Sequence, residues 1–224
     1  MGILSCAAPA AGEAVRPRDR GRSSLPSGRR RPDACGMNPR DPPPDAALRD
    51  GRVVHIRPVT RDDAPALHAL HRHASEQSIY LRFSSRDRDA ADRYVDHICA
   101  DADTEHRALI AELDGQAVAL ADSHHTPGTD DTEIAVLVHD DYQQLGIGTL
   151  LVAHLAARAR QTGSRRLVAE VLPGNTRGLH LLTRSRFHAE LPVTGATTMV
   201  LDITRDLPDP FAADEGERVD RDGW

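Results

Sequence analysis

The stretch Glu133-Ile134-Ala135-Val136-Leu137-Val138-His139-Asp140-Asp141-Tyr142-Gln143-Gln144-Leu145-Gly146-Ile147-Gly148-Thr149-Leu150-Leu151 decides the fold. It opens with an unbroken apolar run of strand length, passes through a polar turn, and reaches Gly-x-Gly. Leu150, Leu151, His154, Leu155 and Ala159 then recur at helical spacing until Gly163. Strand, glycine loop and helix in that order make a cradle for phosphate. The glycines let a ligand approach the backbone, and the helix start aims free N–H groups and a positive dipole end at it. No Lys follows the glycines, so this is not the loop of nucleotide triphosphatases. Leu151 stands where a dinucleotide fingerprint needs its third glycine, and the acidic residue such a fold places at the end of its second strand is missing. Taken alone, Gly146-x-Gly148 is equally a structural turn.

Outward from this segment the pattern alternates. On the N-terminal side Arg52 to Arg57 reads as a short strand closed by Pro58, and Thr60-Arg61-Asp62-Asp63 as a capping box with Asp for Glu. A helix carrying Leu67, Leu70 and His71 follows, and a second begins near Ser85 with Ala91, Tyr94, Val95 and Ile98 on one face. Ala108 to Leu113 and Ala117 to Ala121 flank Asp114-Gly115, a strong hairpin signal, and Thr132 to Val138 is the next strand. On the C-terminal side come a strand at Arg166 to Val171, a helix at Thr176 to Arg184 and a last strand at Thr197 to Ile203. Helices, then an antiparallel run, then a β-α-β-α-β half predict an α+β domain with some parallel pairing near its end.

Composition sets the frame. The chain has 224 residues and only 3% aromatics, so Ala, Val, Leu and Ile must fill the core. Residues 1–51 are rich in Arg and Pro and lack the apolar side chains to offset ordering, and residues 205–224 are acidic. Both are expected to be disordered tails around one domain at 52–204; Met37 offers an alternative start. All 28 basic residues are Arg, so an enzyme acylating lysine could not modify its own side chains. A net charge of −6 argues against nucleic acid as the main partner. Cys6, Cys35 and Cys99 form neither a disulfide framework nor a metal group, and no segment reaches the ~18 apolar residues of a membrane span. A cytoplasmic protein without metal is expected.

The decisive segment resembles the central motif of the GCN5-related N-acetyltransferases (GNAT), Gln/Arg-x-x-Gly-x-Gly/Ala, which Gln143, Gly146 and Gly148 match. Asn175-Thr176-Arg177-Gly178-Leu179-His180-Leu181-Leu182 and Phe187 resemble the family's following Asn, helix and Gly-Phe ending. Ser75-x-x-Ser78-x-Tyr80-Leu81-Arg82-Phe83 and Ala169-Glu170-Val171-Leu172-Pro173-x-Asn175 look like bacterial protein-lysine acetyltransferases.

The resemblance implies the GNAT fold: a central mixed, mostly antiparallel sheet of about six to seven strands, splayed between the family's fourth and fifth, with flanking helices. It implies acetyl-CoA as co-substrate and an amine-bearing acceptor, either a protein lysine or a small molecule, and leaves room for a homodimer. Val136, Leu137 and Val138 would pair with the pantetheine arm. Gln144, Leu145, Gly146, Ile147, Gly148 and Thr149 would cradle the pyrophosphate, and Asn175 would contact the cofactor near the thioester. Glu133 resembles the family's strand glutamate and is the candidate base, with His139 and Glu170 as alternatives.

Two departures stand out. Leu182 occupies the place of the family's acid Tyr, and Arg186 replaces the Gly before Phe187, a position where a Cβ is disfavoured if φ is positive. They motivate a second reading, a non-catalytic acyl-CoA-binding module. His71 and His73 point to different helix faces and make a poor metal pair. His124-His125 reads as an exposed loop, and Asp130-Asp131 and Asp140-Asp141 as solvated turns.

Overall fold

The computed structural model describes residues 2–3, 45–105, 108–190 and 195–204, with backbone alone for 2–3 and 101–105. In chain order the elements are β1 (Gly2–Ile3), β2 (Ala46–Ala47), β3 (Val53–Pro58), α1 (Ala64–His73), α2 (Glu76–Phe83), α3 (Arg88–Glu105), β4 (Ala108–Leu113) and β5 (Gln116–His125). They continue as β6 (Asp131–Val138), α4 (Ile147–Gln161), β7 (Arg166–Val171), α5 (Thr176–Arg184), β8 (His188–Ala189) and β9 (Thr197–Asp202). One sheet runs β2-β3-β4-β5-β6-β7-β9-β8, with β1 added off this path on β6. Among the described residues only β6 and β7 pair in parallel, joined by α4 as such a crossover requires. The six longer strands match the expected number; β1, β2 and β8, two residues each, raise it to nine.

Two apolar layers sandwich the sheet. Ile134, Val136 and Val138 face one way, packing with Leu151, Leu155 and Ala159 of α4. Leu120 and Leu137 face the other way, packing with Leu67, Leu70, Ile79, Val95 and Ile98 of the first three helices. Burial on both faces explains why β6 reads as a continuous apolar run rather than an alternation. At the β4-β5 turn, Asp114 and Gly115 both take positive φ, 52° and 75°, the geometry a two-residue hairpin loop demands.

Three expectations are corrected. Packed structure extends N-terminal to residue 52: β2 pairs with Val53 and Val54, and Leu48 is buried. Gly2–Ile3, placed in the expected tail, is a strand; residues 4–44 and 205–224 lie outside the described residues. The third correction is α2, an additional helix between the two expected there. Ser75 caps it by accepting from the Ser78 amide, and Ile79, Leu81 and Arg82 are buried beneath it.

Candidate active site

The two middle strands part where the sequence places the chemistry. β6 and β7 are in register at Asp131↔Arg166, Thr132↔Leu167 and Glu133↔Val168, and pairing stops there. Beyond Glu133 the strands splay, leaving Val136, Leu137 and Val138 on the edge of the opening. Gly2–Ile3 occupies part of that edge, antiparallel to Val136 and Leu137, and also touches β7. Any ligand strand on this edge must displace β1.

At the end of β6 the chain turns through residues 139–146 into α4. Gln144 takes φ 66° and Gly146 takes φ 103°. The two left-handed residues curl the loop, and Gly146 begins α4 without a side-chain cap. The amides of residues 144–148 meet no acceptor among the described residues, so the curl presents a row of N–H donors at the positive end of a 15-residue helix. A cavity of about 280 Å³ opens there. Gln144, Gly146, Gly148 and Thr149 line it; Leu145 packs against the core, and Ile147 is fully buried within it.

Sequence reasoning missed three arginines of this cavity. Arg49, Arg177 and Arg184 line it with His180, a cationic set suited to phosphates. Arg177 donates to the Gln143 side chain at 2.7 Å, and Gln143 donates to the Val138 carbonyl at 3.1 Å, so the loop is braced from both sides. The i, i+3, i+7 spacing of Arg177, His180 and Arg184 was the available signal.

Asn175 begins α5. Its carboxamide oxygen accepts from the Gly178 amide at 3.0 Å and caps α5, and the residue is 2% exposed. A Cβ on Gly178 would lie 2.6 Å from the Asn175 amide nitrogen, so this glycine is dictated by the cap.

Glu133 sits half-buried at the mouth of the splay, on the face covered by α1, α2 and α3. Its alternatives are placed differently. His139 is 9% exposed, accepts from the Asp141 amide at 3.3 Å and stacks edge-on against Tyr142, which makes it a turn cap. Glu170 lies on β7 opposite Thr198. Leu182 is fully buried in the core, so no acid stands there.

The histidine pair is also corrected. His124 and His125 end β5, opposite Glu133 and Thr132. His124 bonds Asp122 at 3.1 Å, and Asp122 is 1% exposed beside the equally buried Arg82, 2.8 Å away. Burial pushes the Asp122 carboxyl up, but Arg82 and His124 outweigh it and hold it below the ordinary carboxylate value. Asp131 pairs with Arg166 through two hydrogen bonds, and Asp140 binds α2; neither is a free turn residue. His71 is buried, donates to the Leu67 carbonyl and stacks on Phe83. Among the described residues no cluster could hold a metal, and no helix is long and apolar enough to cross a membrane.

Comparison with known proteins agrees with this geometry. The model of the acetyltransferase (GNAT) family matches residues 67–187. A Pseudomonas aeruginosa protein described as an acetyltransferase is 30% identical over 125 residues, 54% of this chain and 67% of that protein. The crystal structure of the GNAT domain of S. lividans PAT superposes with a TM-score of 0.63 at 29% identity, covering 71% of this chain and 96% of that one. A Salmonella typhimurium structure, yncA with acetyl-CoA, shares the fold at 21% identity and TM-score 0.57, over 70% and 98% of the two chains. A donor-lined loop, a splayed strand pair and a matching family model converge: this chain belongs to the acetyltransferase (GNAT) family of acetyl-CoA-dependent enzymes.

Proposed function

We propose that the protein transfers acetyl from acetyl-CoA directly to a primary amine in a ternary complex, with Glu133 as the base. The observation that carries this reading is the position of Glu133 at the last paired residue before the splay. Pyrophosphate on the amides of residues 144–149 would send the pantetheine arm along Val136, Leu137 and Val138, bringing the thioester toward Glu133. The Glu133 carboxylate takes a proton from the acceptor ammonium, directly or through water. The neutral amine attacks the thioester carbonyl, whose oxygen draws on a β6 backbone N–H, and the thiolate leaves. A thiolate needs little protonation help near neutral pH, consistent with Leu182 in place of an acid.

A protein lysine is the favoured acceptor over a small-molecule amine. Likeness to the S. lividans PAT domain supports it, as does the Ser75-x-x-Ser78 segment shared with the protein-lysine branch. The chain contains no lysine of its own to compete. A second reading, an acyl-CoA-binding module without turnover, draws on Leu182 and on β1 lying in the splay.

The test is CoA release by the purified protein with acetyl-CoA and lysine peptides, polyamines or aminoglycosides. Acceptor-dependent release that falls ~100-fold or more in Glu133→Gln supports the enzyme and its base. Tight acetyl-CoA binding with no release for any acceptor favours the binding module.

A further inference from the structure

Converting an alkylammonium to an amide strips two protons from nitrogen, and one carboxylate accommodates only the first. A second acceptor must stand nearby. His124 is directly opposite Glu133 across the β5-β6 ladder, and directly opposed residues project to the same face. That face is the one α1, α2 and α3 cover.

The ring is oriented by buried charge. Its Nε2 lies 3.1 Å from Asp122 Oδ2, Asp122 is held by Arg82 at 2.8 Å, and Arg82 also donates to the Tyr94 hydroxyl at 2.8 Å. An ionised Asp122 can only accept, so the neutral ring carries its proton on Nε2 and its lone pair on Nδ1. Nδ1 meets no partner among the described residues. Asp122 therefore fixes the tautomer and stabilises the imidazolium when it forms, the division of labour of a buried carboxylate behind a catalytic imidazole. The charged and titratable groups facing the ring are Asp122 on its own strand, Glu133 on β6, Arg82 on α2 and Tyr94 on α3.

On the acyl-transfer reading above, we propose that His124 is a second catalytic base, taking at Nδ1 the proton that the acceptor nitrogen sheds after attack. The first proton passes from the ammonium to Glu133. The amine lone pair forms the C–N bond, the C–S bond breaks with its electron pair on sulfur, and the second proton moves to His124. The imidazolium returns that proton to the CoA thiolate through water. Products are the amide and CoA thiol, with one proton released to solvent from Glu133.

The test uses the full chain with acetyl-CoA and whichever acceptor the unmodified protein turns over. His124→Gln is chosen because Asp122→Asn would strand the buried Arg82 charge and endanger folding. The expected result is a fall in kcat of about 100-fold, a kcat–pH profile changed in shape from that of the parent, and unchanged acetyl-CoA affinity by calorimetry. Unaltered kcat and pH profile in His124→Gln, beside an active parent, overturn the role of His124. A parent inactive with every acceptor overturns the acyl-transfer reading instead, and this inference with it.

Discussion

Ser78 donates its hydroxyl to Asp140 at 2.8 Å, joining α2 to the turn that leaves β6. Asp140 also accepts from the Ser75 amide at 2.8 Å and the Ser75 hydroxyl at 3.0 Å. One carboxylate thus ties the N-terminus of α2 to the start of the loop that leads into α4. Asp140→Ala removes the shared acceptor of four donors, the Gln143 side-chain amide at 3.4 Å included, and is expected to cost about 1–3 kcal/mol, a Tm drop of roughly 2–10 °C for a domain of this size. Burial pushes the Asp140 carboxyl up, but the Ser75 amide and the two hydroxyls outweigh it and hold it below the ordinary value. Its contribution is therefore present above the unfolded pKa near 3.9 and lost as pH falls through the lower folded value. Thermal unfolding of parent and variant should differ at pH 7 and converge in strong acid.

That tie shows what the sequence could and could not reveal. Strand, loop and α4 were legible because each signal is local: an apolar run, paired glycines, a 3.6-residue period. Ser75, Ser78 and Asp140 were each visible, but their meeting spans more than 60 residues and leaves no local mark. The same holds for Asp122 and Arg82, 40 residues apart, and so His124 read as a loop residue. α2 escaped because eight residues barely give two turns of periodicity. Asn175 was recognised by its place in a motif, which says nothing about which way its amide turns.

Two glycines should fail for different reasons. Gly146 has open space around a would-be Cβ but φ of 103°, so Gly146→Ala meets backbone strain of about 1–2 kcal/mol. Because that strain sits in the donor loop, acetyl-CoA Kd is expected to rise about tenfold alongside a Tm fall of about 2–8 °C. Gly178→Ala instead collides with the Asn175 cap. It should lower stability by about 1–2 kcal/mol and weaken acetyl-CoA binding only as far as α5 moves. Calorimetric titration beside thermal unfolding separates the two.

Arg186 closes α5 in a left-handed conformation, φ 67°. Its amide bonds the Thr183 carbonyl at 3.0 Å and the Phe187 amide bonds the Leu182 carbonyl at 2.9 Å, the paired bonds of a Schellman motif. The family's glycine is what this geometry prefers. Arg186→Gly relieves the Cβ clash and is expected to stabilise by about 0.5–1 kcal/mol after the added chain entropy. Tm should rise by about 2–4 °C with kcat unchanged. A fall in Tm would show that the Arg186 side chain contributes more than its backbone strain.

Two buried imidazoles set the acid limit of the fold. Burial lowers both His71 and His154 to about 4, with Arg158 adding to the effect at His154. Burial thus holds both rings neutral. In the unfolded chain each titrates near 6.5. Between these values the unfolded state binds more protons, so stability rises with pH there. Nothing is lost above pH ~6.5, the loss grows as pH falls toward 4, and below 4 it levels off at roughly 3 kcal/mol per ring. Urea unfolding at pH 7.5, 6 and 5 should show this slope. His154→Leu removes one of the two titrating rings and should roughly halve it. An undiminished slope in His154→Leu would assign the acid sensitivity to other groups, with His71→Leu as the next variant to compare.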